Sequence, residues 1–272
     1  MELGWFEALL FGLISGFTEV LPVSSLAHQT LFFKVAGAEV PILRLFARIG
    51  ALAAIFTVYM PMILRLRRER RLFHLSQKRR RRQPDAVSLM ELRLLRMAMT
   101  SSVAIFLLYP LVYELYQRLW ILAILVGISG IVVYLPQFML GANKRAETLS
   151  SLDGMLMGIG SGLGVIPGFS RVGLAASVAM VRGTQRQYAA DLAVLTAIPA
   201  LAIMLLLDLL SVTGVPFTAF VVFNCATALA ASFVAAWMGL SLLKFMAVRI
   251  GFSGFAYYSW GFALFTLIIY LI

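Results

Sequence analysis

Apolar positions gather into long runs near 42–64, 97–116, 119–141, 188–211, 216–241 and 252–272. Each is close to the about 20 residues that carry a helix across a bilayer. Two further stretches, roughly 3–35 and 152–185, are apolar but interrupted, the first by Gly12, Gly16 and Pro22, the second by Gly158, Gly160, Gly162, Gly164, Pro167 and Gly168. Proline and clustered glycines end helices. The order therefore repeats: one broken element, then three spans, twice over. If each broken element enters and leaves on one face as a re-entrant hairpin, three crossings per half turn the second half upside down relative to the first. The pattern predicts an all-α polytopic membrane protein, a single integral membrane domain over 1–272. Its inverted repeats, about 1–141 and about 152–272, would each hold a re-entrant broken helix pair plus three transmembrane helices. A plain kinked crossing at each break is the alternative. Inverted repeats with broken helices place their binding site near mid-membrane, where the breaks meet, because irregular backbone at that depth must be buried in protein or line a cavity.

Composition agrees: 61% of the 272 residues are apolar and 13% charged, against near half and a quarter in soluble domains, which excludes a water-soluble enzyme. The net charge of +11 changes the picture in one place. Ten Lys and Arg lie between Arg65 and Arg82, in a loop expected over about 65–91. Short basic loops stay cytoplasmic and attract anionic headgroups. Phe73 alone interrupts the run, short of the interleaved aromatic residues that base stacking would need, so a nucleic-acid partner is not expected. With that loop inside, the N-terminus falls outside and the loop of Lys144 and Arg145 inside. Cys225, the sole cysteine, excludes an internal disulfide and reads as packing. Glu2 and Glu7, without a basic segment before the first apolar run, give no reason to expect a cleavable signal peptide.

The chemistry concentrates at the breaks. The first reads Ser15-Gly-Phe-Thr-Glu19-Val-Leu-Pro22-Val-Ser24-Ser25-Leu-Ala-His28. Pro22 is expected in the first turn of a new half-helix, which sets Ser25 and His28 three apart on one side. A hydroxyl beside an imidazole is the minimum for an activated nucleophile or for protonating a leaving group; a helix cap and a buried hydrogen-bonded histidine would account for the same two residues. Glu19 weighs towards function, since an ionisable group inside a membrane element is costly. The second break reads Gly162-Leu-Gly164-Val-Ile-Pro167-Gly168-Phe-Ser170-Arg171-Val-Gly173. Arg171 in the first turn of its half-helix would add a fork of donors to free backbone amides, the geometry phosphate oxygens prefer. No P-loop lysine follows, so no nucleotide loop is read.

Thr18-Glu19-Val-Leu-Pro22-Val-Ser24-Ser25 with His28, and Pro167-Gly168-Phe-Ser170-Arg171 with Gly173, closely resemble the two signature motifs of bacterial undecaprenyl-diphosphate phosphatases. Length, motif spacing and the later Ala189-Ala-Asp191-Leu-Ala-Val-Leu-Thr-Ala-Ile-Pro199 extend the resemblance over essentially the whole chain. It implies a multi-pass enzyme of the bacterial inner membrane with interdigitated inverted repeats and a cavity facing the outer side. The implied reaction removes the terminal phosphate of the polyprenyl diphosphate carrier, recycling it for cell-wall synthesis. Carried over, Ser25 is the nucleophile or its support, His28 the acid/base or covalent partner, and Glu19 the acid that orients water or a Mg²⁺ or Ca²⁺ ion. Ser24, Gly168, Ser170 and Arg171 would bind the diphosphate.

This chain also departs from that pattern. Ser15 stands where the family has a second glutamate, Leu26, Val172 and Ala175 replace hydroxyl residues or their neighbours, and Arg44 and Arg48 align with an acid and an amide. A cavity that loses carboxylates and gains guanidiniums should hold a diphosphate well and an oxygen-seeking cation poorly. Weakened or absent metal dependence is therefore expected, with Arg44 and Arg48 added to the diphosphate site. Asp208, in a run of leucines, reads as a headgroup-level acid. The competing reading is a non-catalytic polyprenyl-phosphate binder or flippase with a degenerate site; oligomeric state is open.

Overall fold

A computed structural model of the chain describes residues 4–75, 83–112, 118–139, 141, 143–212 and 218–272. Among the described residues the structure is helical, without a named strand. The helices are α1 (Trp5–Val20), α2 (Ser25–Ala36), α3 (Pro41–His74), α4 (Ala86–Phe106), the single turn α5 (Tyr109–Val112), α6 (Leu119–Tyr134), α7 (Ser151–Leu163), α8 (Arg171–Val181), α9 (Arg186–Ser211), α10 (Ala219–Arg249) and α11 (Ser253–Leu271). Both broken elements exist, as α1/α2 and α7/α8. Among the described residues five helical segments are long and apolar enough to cross a membrane: α3, α6 with its 3₁₀ extension to Phe138, α9, α10 and α11. The chain is an all-α polytopic membrane protein. The sixth expected crossing corresponds to α4, whose first half carries Glu91, Arg93 and Arg96.

Gly12, Gly16, Gly158, Gly160 and Gly162 do not break helices, contrary to the expectation from sequence. They lie inside α1 and α7. Their spacing puts them on a helix face that needs close approach: a Cβ on Gly16 would stand 2.2 Å from the Ser232 carbonyl oxygen of α10, and one on Gly158 2.0 Å from the Ala98 carbonyl oxygen of α4. Small residues that let backbones meet are the usual contact between membrane helices. The actual breaks are Leu21–Ser24 and Gly164–Ser170. Pro22 falls within the first break and not in the first turn of α2, which is capped by Ser24. Gly168 is required where it stands, because its φ of 97° is a left-handed conformation that glycine adopts freely. There it lies against α6, where a Cβ would meet Leu125 Cβ at 2.7 Å.

The packing is crossed. α1 lies against α10 and α7 against α4, so each broken element leans on a helix of the other half of the sequence; α6 and α11 pack together. The main core runs from Val20 and Ala51 through Val172 and Ala189–Leu195 to Leu240. Cys225 is buried with Ala8, Phe11 and Phe33 in a second cluster.

The expected basic loop over 65–91 is corrected in part. α3 runs on to His74 and α4 starts at Ala86, so Arg65 to Arg71 are helical. Charges that would end an isolated apolar span are carried here by pairing between the two helices: Arg65 bonds Glu91, and the Asp85 N–H donates to Glu69 at 3.0 Å. Residues 76–82, the rest of the basic run, lie outside the described residues.

Candidate active site

The two breaks meet. Ser170 caps α8, its Oγ accepting from the Gly173 N–H at 2.9 Å. The same hydroxyl lies 3.2 Å from the Leu21 carbonyl oxygen in the first break, to which it donates, and the Ser170 N–H donates to Ser129 Oγ of α6 at 3.3 Å. Ser24 likewise caps α2 by accepting from the Ala27 N–H. Two helix N-termini, each with first-turn amides and a partial positive charge, are thus joined through one serine.

Between them lies a buried polar chain. Glu19, at the end of α1, bonds Arg171 through Oε1 and accepts from Ser25 Oγ at 2.6 Å through Oε2. Ser25 Oγ in turn accepts from the Gln29 side-chain amide at 3.1 Å, one turn further along α2. Glu19, Ser25, Gln29, Ser170 and Arg171 are all buried. Arg171 Nη1 has no protein partner among the described residues. A buried donor left so is costly, and here it belongs to a guanidinium whose other arm is already fixed.

His28 does not join this chain. Its Nδ1 donates to the Ser24 carbonyl at 2.7 Å, its Nε2 meets the Tyr258 hydroxyl at 2.8 Å, and its ring stacks on Phe262. The expected Ser25/His28 pairing is therefore replaced by Ser25 with Glu19, because Glu19 takes the Ser25 hydroxyl while the Ser24 carbonyl and the Tyr258 hydroxyl engage both ring nitrogens of His28. His28 lines an apolar groove of about 830 Å³ between α1, α2, α10 and α11. A polar cavity of about 550 Å³ opens on the other side of α2, lined by Gln29, Lys34, Arg44 and Asp208.

The two extra arginines separate. Arg44 sits at the rim of the polar cavity, paired with the exposed Glu39 and lying over the Phe33 ring. Arg48 is buried, its side chain 1% exposed, and pairs with Asp208 of α9, 11% exposed. Arg48 Nε and Nη2 have no partner among the described residues. Asp208 is a buried, paired acid: leucines flank it along its own helix, while its partner comes from α3. Glu39, Asp208 and Glu19 each answer one arginine. Nor do the donors suit a divalent cation. Both Glu19 oxygens are engaged, Asp208 is held by Arg48, guanidiniums adjoin both acids, and no group of three or more His, Cys, Asp or Glu able to hold a metal occurs among the described residues.

Sequence reasoning missed Gln29, Ser129, Asp208 as a partner of Arg48, and Tyr258. Gln29 had a legible signal, one turn after Ser25 in an apolar helix.

Helix breaks converging inside a bundle around arginine, carboxylate and hydroxyl define a polytopic membrane protein with a buried polar site. The chain matches the family model described as bacitracin resistance protein BacA over residues 8–265, and it belongs to that family. Among similar proteins, an undecaprenyl-diphosphatase of Carboxydothermus hydrogenoformans is 28% identical over 268 residues, covering 94% of this chain and 93% of its own. One of a Nocardioides species is 30% identical over 200 residues, covering 71% and 70%. One of Desulfatibacillum aliphaticivorans is 26% identical, covering 94% and 95%.

Proposed function

We propose that this protein hydrolyses a polyprenyl diphosphate, undecaprenyl diphosphate above all, to the monophosphate and inorganic phosphate. The observation that carries this reading is the Arg171–Glu19–Ser25 chain at two joined helix N-termini, with buried N–H donors left over on Arg171 and Arg48. Those donors and the first-turn amides of α2 and α8 would take the diphosphate oxygens, and Ser24, Gly168 and Ser170 would shape the backbone that presents them. Phosphoryl transfer asks a protein mainly for positioning and neutralisation of charge. Ser25 Oγ would attack the terminal phosphorus while its proton passes to Glu19, and the lipid monophosphate would leave with its bridging oxygen. Water would then release phosphate from the serine, with Glu19 returning the proton. His28 would be a second acid/base group, held at the groove side of α2 by Ser24 and Tyr258.

The donor set supports weak or absent dependence on Mg²⁺ or Ca²⁺, with Arg48 and Arg171 neutralising charge directly and Arg44 acting at the rim. The crossed packing of α1 on α10 and α7 on α4 supports an interdigitated inverted repeat within one membrane domain. The basic segment from Arg65 supports a bacterial inner-membrane setting in which that end is cytoplasmic and meets anionic headgroups, and the cavity faces outward.

The test is phosphate release from undecaprenyl or farnesyl diphosphate by purified protein in detergent, with and without EDTA, beside Arg171→Ala. Release that survives EDTA and vanishes in the variant is expected. Activity abolished by EDTA and wholly restored by millimolar divalent cation would reject the metal-independent part. Diphosphate binding without release under any cation would reject catalysis.

A further inference from the structure

The geometry points to Tyr258 as a positioning residue for His28, holding the Nε2 edge at the apolar groove of an imidazole whose Nδ1–H tautomer the Ser24 carbonyl sets. The inference rests on the reading of His28 as an acid/base group of the site. The Ser24 carbonyl can only accept a hydrogen bond, so Nδ1, 2.7 Å away, carries the hydrogen. In the neutral ring Nε2 then only accepts, and the Tyr258 hydroxyl at 2.8 Å donates to it. These two bonds grip opposite edges of the ring. Phe262 closes one face, with centroids 3.8 Å apart and planes inclined by 16°. The imidazole is therefore held at three places, all set by α11 and the cap of α2.

The surroundings favour the neutral ring. From α1, Glu7 and Thr18 share the groove; from α10, Ala235 and Met238; from α11, Tyr258, Phe262 and Phe265. The α6 residues packed on this side of α2 are Leu119, Leu122 and Val126. No carboxylate bonds His28 among the described residues, and Glu19 is occupied by Ser25 and Arg171. The Tyr258 hydroxyl donates to the Nε2 lone pair of the neutral ring and can turn to accept from Nε2–H once the ring is protonated. Tyr258 should thus serve both protonation states of Nε2, and removing its hydroxyl should leave a protonated Nε2–H without an acceptor and make His28 harder to protonate.

The chain has two histidines, and the other, His74, is exposed at the end of α3. A His74→Gln background leaves His28 as the sole imidazole for ¹⁵N-histidine NMR in micelles. Titrated over about pH 3 to 8, the protein with Tyr258 should show the Nδ1–H tautomer. Tyr258→Phe should lower the His28 midpoint by roughly 0.5–1 unit, with the Ser24 carbonyl still holding the Nδ1–H tautomer. In phosphate-release assays, the limb of the kcat/KM profile that disappears in His28→Ala should move to lower pH by the same amount, with KM little changed.

An Nε2–H tautomer in the parent protein, or a midpoint that stays or rises when the hydroxyl is removed, would overturn the proposal. So would a Tyr258→Phe protein that loses activity equally at every pH, the mark of a merely structural hydroxyl. The NMR readout needs no turnover. If it behaves as expected while no phosphate is released, the catalytic reading fails and the positioning stands.

Discussion

Replacing Asp208 by leucine removes the one partner, among the described residues, of a guanidinium whose side chain is 1% exposed. Arg48 Nε and Nη2 already lack partners among the described residues, so the variant would leave a whole charge buried with no acceptor there. Breaking a buried pair from one side costs about 3–5 kcal/mol. The converse change, Arg48→Met, should cost less, about 1–3 kcal/mol, because Asp208 borders the polar cavity and can be hydrated or protonated there. The double variant Arg48→Met/Asp208→Leu takes both charges out of the interior, and such replacements by apolar residues are often neutral or stabilising. It should return to within about 1 kcal/mol of the parent, giving a coupling of about 3 kcal/mol or more in the double-mutant cycle. Unfolding of the four proteins in mixed micelles by titrated denaturing detergent reads these differences. The same four in the phosphate-release assay should separate stability from function, since the double variant regains its fold while lacking the Arg48 donors, with KM for diphosphate raised. An Asp208→Leu protein destabilised by under about 1 kcal/mol, or a double variant as unstable as that single one, would show that the Arg48–Asp208 pair is not the contact described.

Two other substitutions follow from the same geometry. Arg171→Lys should lose nearly as much kcat/KM as Arg171→Ala, about 10²-fold or more, because an ammonium cannot bond Glu19 and offer a second planar donor to phosphate; kinetics on farnesyl diphosphate check this, and a lysine variant near parental activity would argue for a point charge alone. Gly16→Ala places a methyl 2.2 Å from the Ser232 carbonyl oxygen, and overpacking of this kind costs about 1–3 kcal/mol; thermal unfolding in detergent should show the loss, and unchanged stability would mean that α1 and α10 separate without penalty.

The breaks and their polar residues were legible in the sequence because polar groups inside apolar runs need a reason. Glu19, Ser24, Ser25, Ser170 and Arg171 do converge. What a linear reading misplaces is any property set by a remote partner. Arg48 counts as surplus charge until Asp208, 160 positions away, is seen to face it. Ser25 and His28 look like a pair at a spacing of three, yet Glu19 from the preceding helix takes one and Tyr258 from the last helix takes the other. The glycines at 12, 16, 158 and 162 were misread for a related reason: four-residue spacing marks a helix face pressed on a neighbour, whereas helix ends depend on the residues at the turn itself. The extension of α3 to His74 was hidden because paired charges prolong a helix beyond its apolar part.

The crossed packing of the two broken helices bears on how the protein is made. α1 leaves the ribosome first, yet its glycine face fits α10, close to the end of the chain, and Ser232 of α10 donates to the Ala47 carbonyl of α3 across 185 positions. Until α8 is inserted, Glu19 lacks Arg171 and the Leu21 carbonyl lacks Ser170, and until α10 is inserted the glycine face of α1 lacks its neighbour. A chain truncated before α8 would leave Glu19 in an apolar helix without its guanidinium, and one truncated before α10 would leave a bare glycine face in the bilayer.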